Sequence, residues 1–226
     1  MLEIQYAEPI SDTAIDRVAA RLKSTYPDHQ SRIGVNLSVQ DGQATLERVP
    51  EGVRLASKDQ ADVLLLSASK VASARLAPYT SWEQFSARAR DDHEAVKKVT
   101  DYRKANRLGL RYINRIDIPG KEFAPAKYLK IGMSVPNEIV KQLHAYSVSG
   151  IYSLAVPPYQ VNLNSGVVDP VLVDHTSLLL DIDLYLADGV SSKESDIWSE
   201  FERMRTVKNK VFEACITEEA RALFDS

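Results

Sequence analysis

The stretch Arg107 to Pro119, RLGLRYINRIDIP, decides how the rest of the chain is read. Period-two alternation puts Leu108, Leu110, Tyr112, Asn114, Ile116 and Ile118 on one side of a long strand, and Arg107, Gly109, Arg111, Ile113, Arg115 and Asp117 on the other. The first side is built for a core. The second carries three arginines and an aspartate, more charge than solubility requires of one strand. A later stretch, Thr176 to Ala187 (TSLLLDIDLYLA), answers it: Leu178, Leu180, Ile182, Leu184 and Leu186 make an apolar face, with Asp181, Asp183 and Tyr185 opposite. If the two strands share a sheet, arginines and aspartates can face one another across it, each such pair contributing about 0.2–1 kcal/mol.

Working outward, Ile15, Val18, Ala19 and Leu22 recur at helical spacing, with Ser11 as N-cap and Pro27 as stop. From Arg32 to Ala74 the character changes to short β-prone runs, IGVNLSV, QATLERV, GVRLAS, DVLLLSAS and KVASARL. Asp41-Gly42, Pro50-Glu51-Gly52 and Lys58-Asp59 separate these runs and predict a meander of hairpins. Ser81 to Val99 carries Trp82, Phe85, Ala89, Val96 and Val99 on one helical stripe, with Ser81 as the N-cap.

After Pro119, the stretch GKEFAPAKYLKIGMSVPNE predicts a long irregular connection with one helical turn, and its length marks Lys121 to Asn137 as a lid or contact surface. Strands are expected around Leu143 to Ala155 and Tyr159 to Asn164, joined by a Pro157-Pro158 corner, with turns at Asn164-Ser165-Gly166 and Asp169-Pro170. Ser191-Ser192-Lys193-Glu194 has capping-box spacing and opens a last long helix with Ile197, Phe201, Met204, Val207, Val211 and Cys215 on its buried stripe; Thr217 caps a final short turn.

This order of elements predicts an α+β fold, with antiparallel curved sheet packed on long helices. The polar stretch Thr100 to Asn106 divides it into two halves of similar plan, 1–106 and 107–226, or articulates one continuous domain. The 226 residues suffice for a sizeable core, and 44% hydrophobic with 26% charged residues is globular composition. A formal charge of −3, with no basic tract, gives no indication of nucleic-acid binding. One cysteine precludes an intrachain disulfide, and Cys215 is expected to be buried. The N-terminal MLEIQYAEPISDT lacks a signal-peptide pattern and no apolar run spans a bilayer, so a cytoplasmic protein off the membrane is expected.

The chemistry-bearing motifs are few. None of the nine glycines forms G-x-G-x-x-G or a P-loop. One cysteine and four dispersed histidines give no local metal-ligand spacing, and no G-x-S-x-G occurs. Asp174 and His175 are adjacent, so on a strand they point opposite ways and cannot form a dyad there without a turn. The remaining constellation is Arg107, Arg111, Tyr112, Asn114, Arg115, Asp181 and Asp183, a ligand-binding set with no assigned catalytic or metal role. Arginine forks hold phosphate or carboxylate, and two aspartates one residue apart can hold Mg²⁺. A triphosphate-tunnel enzyme would use such a combination, but LEIQY lacks the alternating acidic and basic positions it needs. The structural alternative is that these charges pair across a sheet face.

The stretches PYTSWEQF, RLGLRYINRIDIP, LLLDIDLYL and MRTVKNKVFEACITEEARALF together resemble a sporadically distributed bacterial family of conserved hypothetical proteins. Its members share an R-x-G-x-R-Y-x-N-x-I-x-x-P strand, a D-x-D strand and a closing helix with I-T-x-E. On that pattern Arg107, Gly109, Arg111, Tyr112, Asn114, Ile116, Pro119, Asp181, Asp183, Phe212, Ile216 and Thr217 fall on motif positions. The start, AEPISDTAI, departs from the family's P-[IP]-x-E-A-[VL] opening. The resemblance implies the fold and no activity.

Two functions are therefore expected. The first is a non-catalytic binding or accessory protein that recognises a protein partner or a small anionic ligand on a curved sheet. The alternative is a metal-dependent enzyme acting on a phosphorylated or nucleotide substrate, with Asp181 and Asp183 on the metal and Arg111 and Arg115 on phosphates.

Overall fold

The structure, a computed structural model, describes residues 1–40, 43–120, 124–132, 144–155 and 158–224, with backbone alone for 35–40, 43–45 and 47–48. The fold is α+β, antiparallel sheet packed on helices, as the alternation and the helical stripes predict. Two compact units divide the chain, Met1–Leu108 with Val190–Ser192, and Gly109–Gly189 with Lys193–Ser226.

The first unit contains β1 (Leu2–Tyr6), α1 (Asp12–Arg21), β2 (Asp28–Gln40), β3 (Gln43–Ala56), β4 (Asp62–Leu66), β5 (Lys70–Arg75) and α2 (Trp82–Thr100). Its strands neighbour one another in the order β2-β3-β4-β5-β1. Ser11 and Ser81 cap the two helices, accepting from the Ala14 and Gln84 amides. Trp82, Phe85, Ala89 and Val96 are buried, the stripe that period 3.6 predicts.

Pro50-Glu51-Gly52 is not a turn. QATLERV and GVRLAS form the single strand β3, whose register against β2 shifts between Arg32 and Ile33. A bulge absorbs the proline, which has no N–H for a regular ladder. Gly52 sits beside it at φ +120°, where a Cβ would fall 2.0 Å from the Leu66 carbonyl oxygen. That conformation and that approach both require glycine. The expected Asp41-Gly42 turn lies outside the described residues.

The second unit contains most of β6 (Ala105–Pro119), β7 (Ser147–Ser153), β8 (Gln160–Val168), β9 (His175–Leu186), α3 (Glu194–Cys215) and α4 (Glu218–Phe224). Its strands neighbour one another in the order β6-β9-β8-β7. Leu110, Ile116, Ile118, Leu178, Leu180, Ile182, Leu184 and Leu186 are all buried, and α3 packs on this side with Ile197, Phe201 and Met204.

Asn164-Ser165-Gly166 also departs from the expected turn. The three residues continue β8, opposite Asp181, Leu180 and Leu179 on β9 and opposite Ser149, Val148 and Ser147 on β7. Glycine suits position 166, where a Cβ would make a tight 3.0 Å contact with the Tyr146 carbonyl. The N-cap of α3 is Lys193, two residues beyond the expected Ser191, and its side chain makes no cap. Thr217 does cap α4, its Oγ1 accepting from the Ala220 amide at 3.2 Å. The connection after Pro119 has its helical turn at Pro125–Lys127. Much of the expected lid, 121–123 and 133–137, lies outside the described residues, as does Pro157 of the expected corner.

Candidate functional site

β6 and β9 lie side by side, so the cationic and twin-aspartate faces meet as their alternation requires. Arg111 donates from Nε to Asp181 Oδ1 at 2.9 Å and from Nη2 to Oδ2 at 2.7 Å, a two-pronged fork. Asn164, directly opposite Asp181 on β8, donates from Nδ2 to the same Oδ2 at 3.1 Å. The Asp181 side chain is 4% exposed beneath the Arg111 guanidinium, itself 39% exposed. Asp183 stands opposite Asn162, whose Oδ1 is buried without a hydrogen-bond partner.

Further along β6, Arg115 Nε donates to Asp117 at 3.0 Å, and the Ser177 hydroxyl donates to the other oxygen of that carboxylate. Two isoleucines interrupt this polar face. Ile113 lies between Arg111 and Arg115 by strand parity and is 61% exposed. Ile151, opposite Asn162 on β7 and hence on the same face, is 67% exposed.

Tyr112 and Asn114 point to the helix side of the sheet, where the sequence alternation also places them. The Lys208 ammonium of α3 lies 3.8 Å from the Tyr112 ring centroid. Burial pushes the Lys208 pKa down to about 8, with repulsion from Arg205 adding to it. Asn114 Nδ2 donates to the Leu180 carbonyl at 3.0 Å, tying β6 to β9.

Arg107 belongs to a different cluster, in the first unit. There Glu3, 6% exposed, accepts from Arg107 at 2.6 Å, Lys70 at 2.9 Å and Gln5 at 2.9 Å. Burial alone would raise the Glu3 pKa. The Lys70 and Gln5 hydrogen bonds and the two positive charges outweigh it and hold the carboxyl below its usual range.

The seven sequence-derived residues thus occupy three places. Arg111, Arg115, Asp181 and Asp183 share one sheet face; Tyr112 and Asn114 lie on the reverse; Arg107 joins Glu3. Among the described residues no three acidic, histidine or cysteine side chains cluster as a metal site would need.

Sequence reasoning missed a buried polar network in the first unit. Asp92 on α2, 2% exposed, accepts from the Tyr26 hydroxyl at 2.8 Å and from Ser73 Oγ at 2.7 Å. Burial raises the pKa of Asp92 despite these donors, and raises that of Tyr26 as well. His93 next to it contacts the Tyr6 hydroxyl at 3.1 Å. The available signal was the Asp92-His93 pair set between Ala89 and Val96 on a stripe that is otherwise apolar.

No protein-family model, curated protein or solved structure matches the chain. No described helix is long and apolar enough to cross a membrane.

Proposed function

We propose that the chain is a non-catalytic binding or accessory protein that recognises a protein partner on the Arg111 face of the β6-β9-β8-β7 sheet. Ile113 and Ile151 carry this reading: two large apolar side chains stand in water on a face whose nearby charges are largely paired. They are three strand spacings apart, about 14 Å. A standard interface of about 800 Å² per partner covers both. The pattern of apolar anchors among pre-paired polar groups suits protein recognition, because the paired groups need little further desolvation on docking.

The same geometry weighs against the other expectations at this face. A metal-dependent phosphate enzyme needs carboxylates open to the cation, whereas both Asp181 oxygens accept hydrogen bonds and the side chain is 4% exposed. An anionic ligand would have to displace Asp181 from the Arg111 fork.

Affinity purification at native expression tests the reading, comparing wild type with the Ile113→Glu, Ile151→Glu double variant. The expected result is a stoichiometric partner lost in the double variant while its circular dichroism and melting temperature stay as in wild type. Recovery of no partner, or of the same partner by both proteins, contradicts it.

A further inference from the structure

The helix side of the first unit holds a second arrangement of charged groups, unrelated to the Arg111 face. Asp62 and Arg75 are cross-strand partners on β4 and β5, and Arg75 Nη1 donates to Asp62 Oδ1 at 3.0 Å. Arg88, one turn along α2 from Gln84, brings its Nη1 to 2.9 Å from the same oxygen. One carboxylate therefore lies between two guanidiniums, each only 19% exposed. Backbone carbonyls fix both cations: Arg75 Nε donates to Pro78 at 3.2 Å and Arg88 Nη2 to Ala74 at 2.9 Å. The Phe85 ring lies 5.7 Å from the Arg88 guanidinium carbon.

These residues, with Thr80 and Gln84, line an open cleft of about 230 Å³. Among the described residues, Arg75 Nη2, Arg88 Nε, the Thr80 hydroxyl and the Gln84 carboxamide make no hydrogen bond. Two positive charges face a single carboxylate at the cleft. Of the other acids whose charge reaches these arginines, Asp92 lies behind Tyr26 and is engaged by hydroxyls, and Asp59 is exposed and held by the Ser57 hydroxyl and the Ala61 amide.

We propose that this cleft binds a phosphate monoester. A phosphate dianion has the charge to outweigh repulsion from Asp62, and its oxygens match the unused donors of Arg75, Arg88, Thr80 and Gln84. A carboxylate monoanion would add little to what Asp62 already supplies. Small-molecule pockets commonly run to about 300–1,000 Å³, so this volume takes a phosphate with a short substituent rather than a nucleotide.

Calorimetric titration and thermal shift with inorganic phosphate, glycerol phosphate and phosphoserine test it, with acetate and with chloride at matched ionic strength as controls. Saturable binding of the phosphates, absent with acetate and chloride, is expected, and Arg75→Gln weakens it at least about tenfold. Preference for phosphoserine over glycerol phosphate would place the ligand on a modified protein, and the reverse on a metabolite. Thr80→Val and Gln84→Ala alter exposed side chains and carry the test should Arg75→Gln fail to fold. Phosphate that acts no differently from chloride, or folded variants that bind it as wild type does, overturn the assignment.

Discussion

Arg111 closes a two-pronged fork on Asp181, with N···O distances of 2.9 and 2.7 Å, and Asn164 adds a third donor to the same carboxylate. Removing the arginine alone strands a buried charge. Breaking a fully buried pair costs about 3–5 kcal/mol. Because Arg111 is 39% exposed and water can partly replace it, Arg111→Leu is expected to cost about 2 kcal/mol. The Arg111→Leu, Asp181→Leu double variant leaves no orphan charge and is expected to be more stable than Arg111→Leu. Chemical denaturation of the three proteins checks this; a double variant less stable than Arg111→Leu would show that the pair is not a self-contained unit.

The engagement of Asp181 also predicts the response to Mg²⁺. Millimolar Mg²⁺ is expected to leave the melting temperature where an ionic-strength control leaves it. A saturable rise that Asp181→Asn abolishes would revive the metal-dependent alternative.

Lys208 and Tyr112 predict a pH dependence at the alkaline end. Burial lowers the Lys208 pKa to about 8, from the usual 10.5, so the folded state releases its proton before the unfolded state does. Between those values the unfolded chain binds more protons, and stability rises with pH. Wild type is therefore expected to gain on Lys208→Met as pH rises from about 8 to 10. The ring face 3.8 Å from the ammonium favours the charged form, so Tyr112→Leu should lower the Lys208 pKa further, as read by NMR titration. An unchanged pKa would show that the ring contributes nothing.

Asp92 gives the opposite sign at the acid end. Its folded pKa is raised above 3.8 by burial, so the folded state takes up a proton before the unfolded state does as pH falls. The charged form's burial penalty is present at neutral pH and is relieved on acidification toward 3.8. Wild type is expected to gain stability relative to Asp92→Asn as pH falls from neutral toward 3.8, measured by denaturant melts. A difference that stays constant across that range would mean that Asp92 is not the group titrating.

The elements that period-two and period-3.6 patterns encode were legible: β6 and β9 alternate cleanly because one side of each meets a helix-backed core and the other does not. Ser11, Ser81 and Thr217 announced their helices because each side chain serves a backbone donor a few residues away. Pro50-Glu51-Gly52 and Asn164-Ser165-Gly166 misled because local turn chemistry and the needs of close strand approach call for the same small or φ-restricted residues. Only the neighbouring strands, through Leu66 and Tyr146, distinguish the two. Arg111, Asp181 and the loneliness of Ile113 on a charged face were readable from alternation. Tyr26, Ser73 and Arg88 were not, since their partners lie far apart in sequence; Asp92 was marked only by its place between Ala89 and Val96 on the apolar stripe of α2.

Site-specific photo-crosslinking in cells tests the central reading most directly. A photoreactive phenylalanine analogue is placed at Ile113 or at Ile151, and at Lys210 on α3 as a control. A protein partner docked on the Arg111 face predicts the same discrete adduct from both isoleucine positions and none from Lys210. No adduct from either isoleucine position, or the same adduct from all three, would contradict it.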